Sequence, residues 1–241
     1  IGDTSDSLVV NSGSTLNVNA DKDGSELDPI WDGNAGGLVG YSVLTDNPNY
    51  ANYLISTNYA TGDVTCTDVG NCGGLVGFSN QAISNSYATG DVIGASSIGG
   101  LVGQSSGVID SSYATGDATG LMHVGGLIGL VEVESSTVTI SNAFASGDLI
   151  TEGSPEGFAG GIVGLFSYWE ETTISVDYAY FSGTFSTEEF DGFGILGNGN
   201  QPTEWLNVDL EEVYWTKDSN EIESVWLPAE NSLPKTLFKR P

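Results

Sequence analysis

A pentapeptide of the type Gly-Gly-Leu-Val-Gly recurs along the chain, and this feature limits most strongly how the chain can fold. Full copies begin at residues 36, 73, 99, 125 and 160, and a degenerate copy occupies 193–197. A second motif of the type Tyr-Ala-Thr-Gly-Asp-Val follows each full copy, at 59–64, 87–92, 113–118, 144–149 and, in a worn form, 180–185. An internal period of this kind is typical of solenoids, in which each repeat packs on its neighbours.

The repeat unit reads as short strands rather than helices. Gly, Asn, Ser and Asp separate apolar runs of a few residues, and no run keeps a 3.6-residue period over three turns. We therefore predict an all-β fold, a parallel β-solenoid (β-helix) of about five to six coils with caps at both ends. Insertions at 45–54, 132–139 and 167–175, and again at 65–71 and 151–158, are expected to be surface loops.

The two ends of the chain differ from the repeats. Residues 1–30 lack the pentapeptide and are predicted to be an N-terminal cap or a strand donated to a neighbour, residues 31–197 the repeats, and residues 198–241 a C-terminal cap. The C-terminal segment holds three of the five Trp and four of the five basic residues. Exposed terminal rungs of a solenoid pair readily with other strands, so copies of the chain could associate through the solenoid ends or terminal strands.

The chain is strongly acidic, with five Lys and Arg against 32 Asp and Glu and a net charge of −27. This excludes the basic surface that binding to nucleic acid needs and disfavours anionic membranes. No run approaches the roughly 20 apolar residues of a membrane helix, so no membrane insertion is expected. A calcium-rich or salty exterior suits such a charge.

The two motifs resemble the GLUG repeat, in which a GGLVG-like strand precedes an NSYATGDV-like strand. The resemblance covers residues 33–197, and the best unit joins 73–77 to 85–92. The tail 213–215, Val-Tyr-Trp, is similar to a segment that often follows the last repeat. The resemblance implies a β-solenoid of bacterial or archaeal origin in an extracellular or cell-surface setting such as an adhesin. It implies no catalytic residues.

Alternation along the second motif predicts which side chains face outward. Strand residues point alternately to opposite sides, and Ala, Gly and Val suit the interior. The outward set would form a candidate ligand-binding ladder of three columns, consisting of Tyr59, Tyr87 and Tyr113, of Thr61, Thr89 and Thr115, and of Asp63, Asp91 and Asp117. The alternative is that stacked identical residues satisfy one another and bind nothing.

Three further positions carry candidate chemistry. Oxygen-bearing residues at alternate positions before a Gly resemble half of a calcium loop, with the candidate ligands Asn19, Asp21, Asp23 and Asp28; an Asp-Gly turn is the alternative. Cys66 and Cys72, the only cysteines, are expected to form a local disulfide that stiffens its loop. The single histidine, His123, is expected to be a loop or corner residue rather than a base.

These features favour a non-enzymatic, secreted protein whose signal peptide has been removed from this numbering. The first hypothesis is a structural or adhesive surface protein, including a self-assembling filament subunit. The second is a module that binds cell-surface glycans through the Tyr, Thr and Asp ladder. An ice-binding Thr array and a polysaccharide-active enzyme are weaker alternatives, because one Thr per coil is a thin array and chance carboxylate pairs are plentiful among 32 acids.

Overall fold

The fold is a stack of parallel β-coils, seen in a computed structural model that describes residues 3–5, 9–21, 33–43, 54–67, 70–133, 137–152, 158–168 and 173–187. These residues form 27 strands and no helix. The strand pairs are parallel, and they belong to four sheets that run along the stack. The predicted all-β parallel solenoid is confirmed.

Each sheet collects one strand position from successive coils. Sheet A, which follows the pentapeptide turn, consists of β1 (Asp3–Ser5), β6 (Val39–Val43), β11 (Val76–Ser79), β16 (Val102–Ser105), β21 (Ile128–Val133) and β25 (Val163–Tyr168). Sheet D, which leads into the pentapeptide, consists of β5 (Asn34–Gly36), β10 (Asn71–Gly73), β15 (Ser97–Gly99), β20 (His123–Gly125) and β24 (Phe158–Gly160).

The second motif supplies the other two sheets. Sheet B bends at a corner and consists of β2 (Val9–Val10), β3 (Gly13–Ser14), β7 (Leu54–Ser56), β8 (Tyr59–Ala60), β12 (Ala82–Ser84), β13 (Tyr87–Ala88), β17 (Ile109–Asp110), β18 (Tyr113–Ala114), β22 (Thr137–Ala145) and β26 (Thr173–Phe181). Sheet C consists of β4 (Val18–Asp21), β9 (Val64–Thr67), β14 (Val92–Ile93), β19 (Ala118–Gly120), β23 (Leu149–Thr151) and β27 (Phe185–Thr187).

A coil passes through sheets D, A, B and C in that order. The described residues make five such coils, 34–67, 71–93, 97–120, 123–151 and 158–187, which we number 1 to 5. Equivalent motif residues lie side by side, as in the pairing of Gly73 with Gly99 and of Tyr87 with Tyr113. The register therefore places each residue type of the repeat in a column along the solenoid.

The N-terminal segment forms a further coil, coil 0, on its own chain. Strands β1, β2, β3 and β4 pair with β6, β7, β8 and β9 of coil 1. Of the two roles expected for residues 1–30, the described part packs on its own repeats and extends sheets A, B and C by one strand position, whereas sheet D ends at β5. The C-terminal segment 198–241 and the degenerate pentapeptide at 193–197 lie outside the described residues.

The core is a set of aliphatic columns inside the stack. The isoleucine of sheet B is fully buried in coils 1 to 4, at Ile55, Ile83, Ile109 and Ile140. The leucine of the pentapeptide is fully buried in coils 2 and 3, at Leu75 and Leu101. Burial of one such side chain contributes about 1.5–3 kcal/mol, so each coil adds its own share of the core.

All five predicted loop insertions overlap strands at their ends: β7 begins at Leu54, β9 extends to Thr67 and β10 begins at Asn71, β23 ends at Thr151 and β24 begins at Phe158. The overlap is most extensive in the insertions 132–139 and 167–175. In coils 4 and 5, β21 pairs with β25 as far as Val133 and Tyr168, and β22 pairs with β26 from Thr137 and Thr173 onward. The expectation that 132–139 and 167–175 are loops is therefore wrong at their ends. The backbone of the insertion in coil 4 forms hydrogen bonds with the backbone of the equivalent insertion in coil 5.

Candidate functional site

The strand of the second motif alternates as its sequence predicts. Ala60, Ala88 and Ala114 are buried, and so are the glycines that follow them two residues later. Thr61, Thr89, Asp63 and Asp91 are exposed, whereas Thr115 and Asp117 are half-buried. The Thr and Asp columns thus lie on the outer surface. Both are exposed in coils 1 and 2, whereas in coil 4 Asp148 is exposed and Ser146 is half-buried.

The tyrosine column is a stack of parallel rings. The ring centroids of Tyr59 and Tyr87 lie 5.6 Å apart at 15°, and those of Tyr87 and Tyr113 lie 4.9 Å apart at 5°. Both faces of the Tyr87 ring are therefore covered by neighbouring rings. The stack leaves ring edges and phenolic groups, rather than flat ring faces, for any ligand.

The stack becomes more buried from coil 1 to coil 4 and is half-buried again at Tyr180 of coil 5, which corrects the prediction of a uniformly outward column. Tyr59 and Tyr87 are half-buried, Tyr113 is only 5% exposed, and Phe144, its partner in coil 4, is buried as well. Burial, with a smaller contribution from the neighbouring phenol, raises the pKa of Tyr87 and of Tyr113. The phenols of these two residues, which would be neutral at physiological pH in any case, are thus even further from ionisation than an exposed tyrosine.

The aspartate column is a ladder in which each carboxylate bonds to the backbone of the next coil. Oδ1 of Asp63 accepts the backbone N–H of Asp91 at 3.1 Å, and Oδ1 of Asp91 accepts that of Asp117 at 2.9 Å. Asp117 in turn accepts the backbone N–H of Asp148 at 2.8 Å. Bonds of N–H groups to carboxylates are stronger than those to neutral acceptors, so this ladder ties consecutive coils together.

Uncharged residues end the ladder on both sides. In coil 0, Oδ1 of Asn17 accepts the backbone N–H of Asp63 at 2.9 Å. In coil 5, Thr184 donates its backbone N–H and its hydroxyl to Oδ1 of Asp148, at 2.9 and 2.8 Å. Asn17 also donates its side-chain amide to Oδ2 of Asp63 at 3.3 Å. At least one oxygen of each stacked carboxylate is thus engaged in structure, and both oxygens of Asp63 are.

A second polar column, at the corner of sheet B, was not predicted from the sequence. The corner residue is left-handed in every described coil, with φ of 50° at Asn11, 61° at Thr57, 48° at Asn85, 50° at Ser111, 52° at Asn142 and 53° at Tyr178. The sequence feature that could have indicated this corner is the frequency of Asn and Ser at the position, because Asn tolerates the left-handed conformation better than most residues. Beside it, buried Ser86 accepts the backbone N–H of Asn58 at 3.2 Å and donates to the carbonyl of Ser84.

The predicted disulfide is present, but its environment differs from the expectation. Cys66 and Cys72 are bonded and bridge the corner between sheets C and D. Both are buried, and a side chain on Gly94 of the next coil would lie 3.2 Å from Cys72 Sγ. The bond is therefore part of the core, covered by the following corner at Gly94, rather than a clip on a surface loop.

His123 is a buried side chain within a sheet, where a loop or corner residue was expected. It lies on β20, stacks against Phe158 of the next coil and leaves its Nδ1 atom buried without a hydrogen-bond partner. Burial lowers the pKa of His123 to about 4, so the ring is neutral at physiological pH.

The candidate calcium loop falls only partly in the described residues. Asn19 and Asp21 lie on β4, which pairs with β9 of coil 1, and Asn19 is exposed. Asp23 and Asp28 lie outside the described residues, so the site stays a prediction. Across the described ranges, no group of three or more His, Cys, Asp and Glu side chains is arranged to hold a metal ion.

Membrane-spanning helices were also sought within the described ranges, and no helix there has the length and apolarity of a membrane span.

Comparison with known proteins identifies the repeat. Residues 94–119 match the family model of the GLUG motif, and they run from the corner after coil 2 through most of coil 3. No curated protein and no solved structure matches the chain. Residues 94–119 are therefore similar to the GLUG motif, and the neighbouring coils continue the same residue columns in register.

Proposed function

We propose that this chain is an extracellular scaffold of the surface-protein or adhesin type, which presents columns of polar side chains on a stiff solenoid. The observation that supports it best is the in-register stacking of like residues, fixed by the aspartate ladder between Asp63 and Asp148. A ligand that meets pre-ordered groups loses less conformational entropy on binding than one that must order them. Repetition along the stack also suits a ligand that is itself a repeating polymer.

The part of the ladder proposed to contact a partner is confined to coils 1 and 2. There the Thr and Asp groups are exposed and the two tyrosines half-exposed, namely Tyr59, Thr61, Asp63, Tyr87, Thr89 and Asp91. Hydroxyls and carboxylate oxygens that are arranged in columns can form hydrogen bonds with the hydroxyl groups of a glycan. Since the ring faces are used in the stack, we propose contact through the tyrosine hydroxyls and ring edges.

A glycan array tests this surface with variants that keep the fold. Tyr87→Phe retains the ring stack and removes the hydroxyl, and Thr89→Ala removes an exposed hydroxyl. The matched control is Gln104→Ala on sheet A, where the Gln104 side chain donates to Glu132 at 2.7 Å on another side of the coil. We expect the first two variants to lose at least about tenfold in apparent affinity, as a lost polar contact of about 1.4 kcal/mol gives. Equal binding by all three and the parent would remove this surface from consideration.

The extracellular setting is supported by the buried disulfide, since such bonds persist in oxidising compartments. Proteolysis of intact source cells tests it. A surface location predicts that external protease removes the protein while a cytoplasmic marker survives. Survival of the protein together with that marker would contradict the proposal.

The proposed role is non-catalytic. His123 is buried and neutral, and each ladder carboxylate from Asp63 to Asp148 already bonds to the backbone of the next coil. Turnover of any polysaccharide in a reducing-sugar assay would overturn this part of the proposal.

Calcium and self-association are proposed for the terminal segments. A rise in melting temperature on adding Ca²⁺, lost in Asp21→Asn, would support a site in 19–28, and an unchanged melting temperature would end it. Contacts between copies at the solenoid ends or terminal strands would appear as a molar mass that increases with concentration in light scattering.

A further inference from the structure

A column of glycines marks one corner where successive coils touch most closely. It consists of Gly62, Gly90, Gly116, Gly147 and Gly183, the Gly of the second motif in coils 1 to 5. A Cβ on any of them would lie within 3.0 Å of the carbonyl oxygen at the same position in the preceding coil. None of the five has a positive φ, so glycine is required here by space and not by backbone conformation.

The direction of these Cβ positions is the same in all five coils. At Gly90 it points at the carbonyl of Gly62, and at Gly62 it points at the carbonyl of Leu16. At this corner, a side chain therefore projects along the solenoid axis toward the N-terminal end. Any coil that accepts another coil on its N-terminal side must have glycine at this position.

Coil 0 breaks this rule. Residue 16 occupies the position of the column and is Leu, with its side chain 75% exposed. Its backbone keeps the stacking geometry, because Val18 donates its N–H to the carbonyl of Asp63 at 2.8 Å, as Val64 does to Asp91. The Leu16 side chain thus projects from the N-terminal end of the stack into the volume that a preceding coil would fill.

We propose that Leu16 is a steric stop that prevents any further coil, from this chain or from another copy, from stacking in register on the N-terminal end. The edges of β1 to β4 would otherwise offer parallel pairing to any similar coil, the usual hazard of a terminal rung. The blocking group is the Cβ atom itself, since that atom alone would fall inside contact distance of the incoming carbonyl. This goes beyond the proposed surface role and limits self-association to contacts other than in-register stacking on this end.

An added coil tests the stop within one molecule. Asp3 is in register with Tyr41 and, through it, with Phe78 and Gln104. A copy of residues 78–103 fused directly before Asp3 therefore continues the repeat and would bring its own Gly90 over residue 16. The fusion is made with Leu16, with Leu16→Ala and with Leu16→Gly, and amide hydrogen exchange is measured in the added segment.

We expect the added coil to exchange at the rate of an unfolded chain in the Leu16 and Leu16→Ala fusions. In the Leu16→Gly fusion we expect protection of at least about tenfold. Leu16→Gly without the added coil is the folding control, and because the side chain is exposed its melting temperature should match the parent. Equal protection on Leu16, protection on Leu16→Ala, or no protection on Leu16→Gly would each overturn the proposal.

Discussion

The methyl group of Ala88 fills the space into which a side chain on Gly74 would project, with 2.8 Å between Ala88 Cβ and the ideal Cβ position of residue 74. The carbonyl of Gly100 in the next coil closes the same space. The equivalent contact recurs in the pairs Gly37 with Ala60, Gly100 with Ala114 and Gly126 with Ala145. The interior of each coil is therefore narrow at this point, since the pentapeptide glycine and the alanine of the second motif touch across it. This contact explains why the two motifs occur together in one repeat.

The first prediction concerns this contact. Gly74→Ala should destabilise the protein by about 3 kcal/mol or more, because backbone atoms of the next coil cannot yield. The matched control is Gly94→Ala, whose new methyl would meet the flexible end of Ile98 at 2.6 Å and should cost clearly less. Urea unfolding of both variants measures the difference, and equal losses would contradict the explanation.

The second prediction separates charge from hydrogen bonding in the aspartate ladder. Asp91→Asn keeps an acceptor for the N–H of Asp117, as Asn17 does for Asp63, and removes one of several stacked like charges. We expect it to match or exceed the parent in stability at low salt, with a difference that shrinks as salt is added. Asp91→Ala removes the acceptor and should lose about 1 kcal/mol. An Asn variant as unstable as the Ala variant would show that the carboxylate charge itself is needed.

The third prediction follows from the burial of His123. The unfolded chain binds a proton at this residue near its ordinary pKa of 6.5, whereas the folded chain does so only at about 4. The free energy of unfolding should therefore fall as the pH decreases from about 6.5 to 4, by up to about 3 kcal/mol, and this contribution should level off below.

A variant isolates this effect from the many carboxyl groups that titrate in the same range. His123→Phe places at this position the residue type that Phe158 supplies in the next coil. The stability difference between variant and parent should grow by that amount as the pH falls through this window. A difference that is independent of pH would contradict the prediction.

The fourth prediction concerns the buried disulfide. Because Cys66 and Cys72 are buried beneath the corner at Gly94, the native protein should resist reduction by dithiothreitol and become reducible only as urea unfolds it. The double variant Cys66→Ala and Cys72→Ala should lose about 2 kcal/mol, the entropy expected for so short a loop. Thiol labelling along a urea titration follows the first effect, and rapid labelling of the native protein would contradict it.

The stack of coils was predictable because the repeat encodes it directly. The period gives the coil, the pentapeptide and the second motif give the strands, and alternation gives the outward position of Thr61 and Asp63. What alternation could not give is contact between coils. Each Tyr ring of the column covers its neighbour, and the carboxylate of Asp91 bonds to Asp117. Both features depend on how far one coil lies from the next.

The positions of the disulfide and of His123 also depend on contacts with other coils. The depth of the disulfide depends on Gly94 and Ile98 of the next coil, which lie more than 20 positions away in the sequence. His123 precedes a glycine pair and reads as a corner residue, yet in register it lies between Ser97 and Phe158 on one sheet. Neither relation is visible from the residues immediately around the site.

The extended strands of coils 4 and 5 have a consequence for how such a chain changes over time. The additional backbone of β22 from Thr137 pairs with that of β26 from Thr173, and a lengthened coil beside a short one would have no partner for those groups. Removal of the extra residues from one of these two coils would leave the backbone groups of the other without those partners. A change of length that involves both coils together should therefore be tolerated better than the same change in one coil alone.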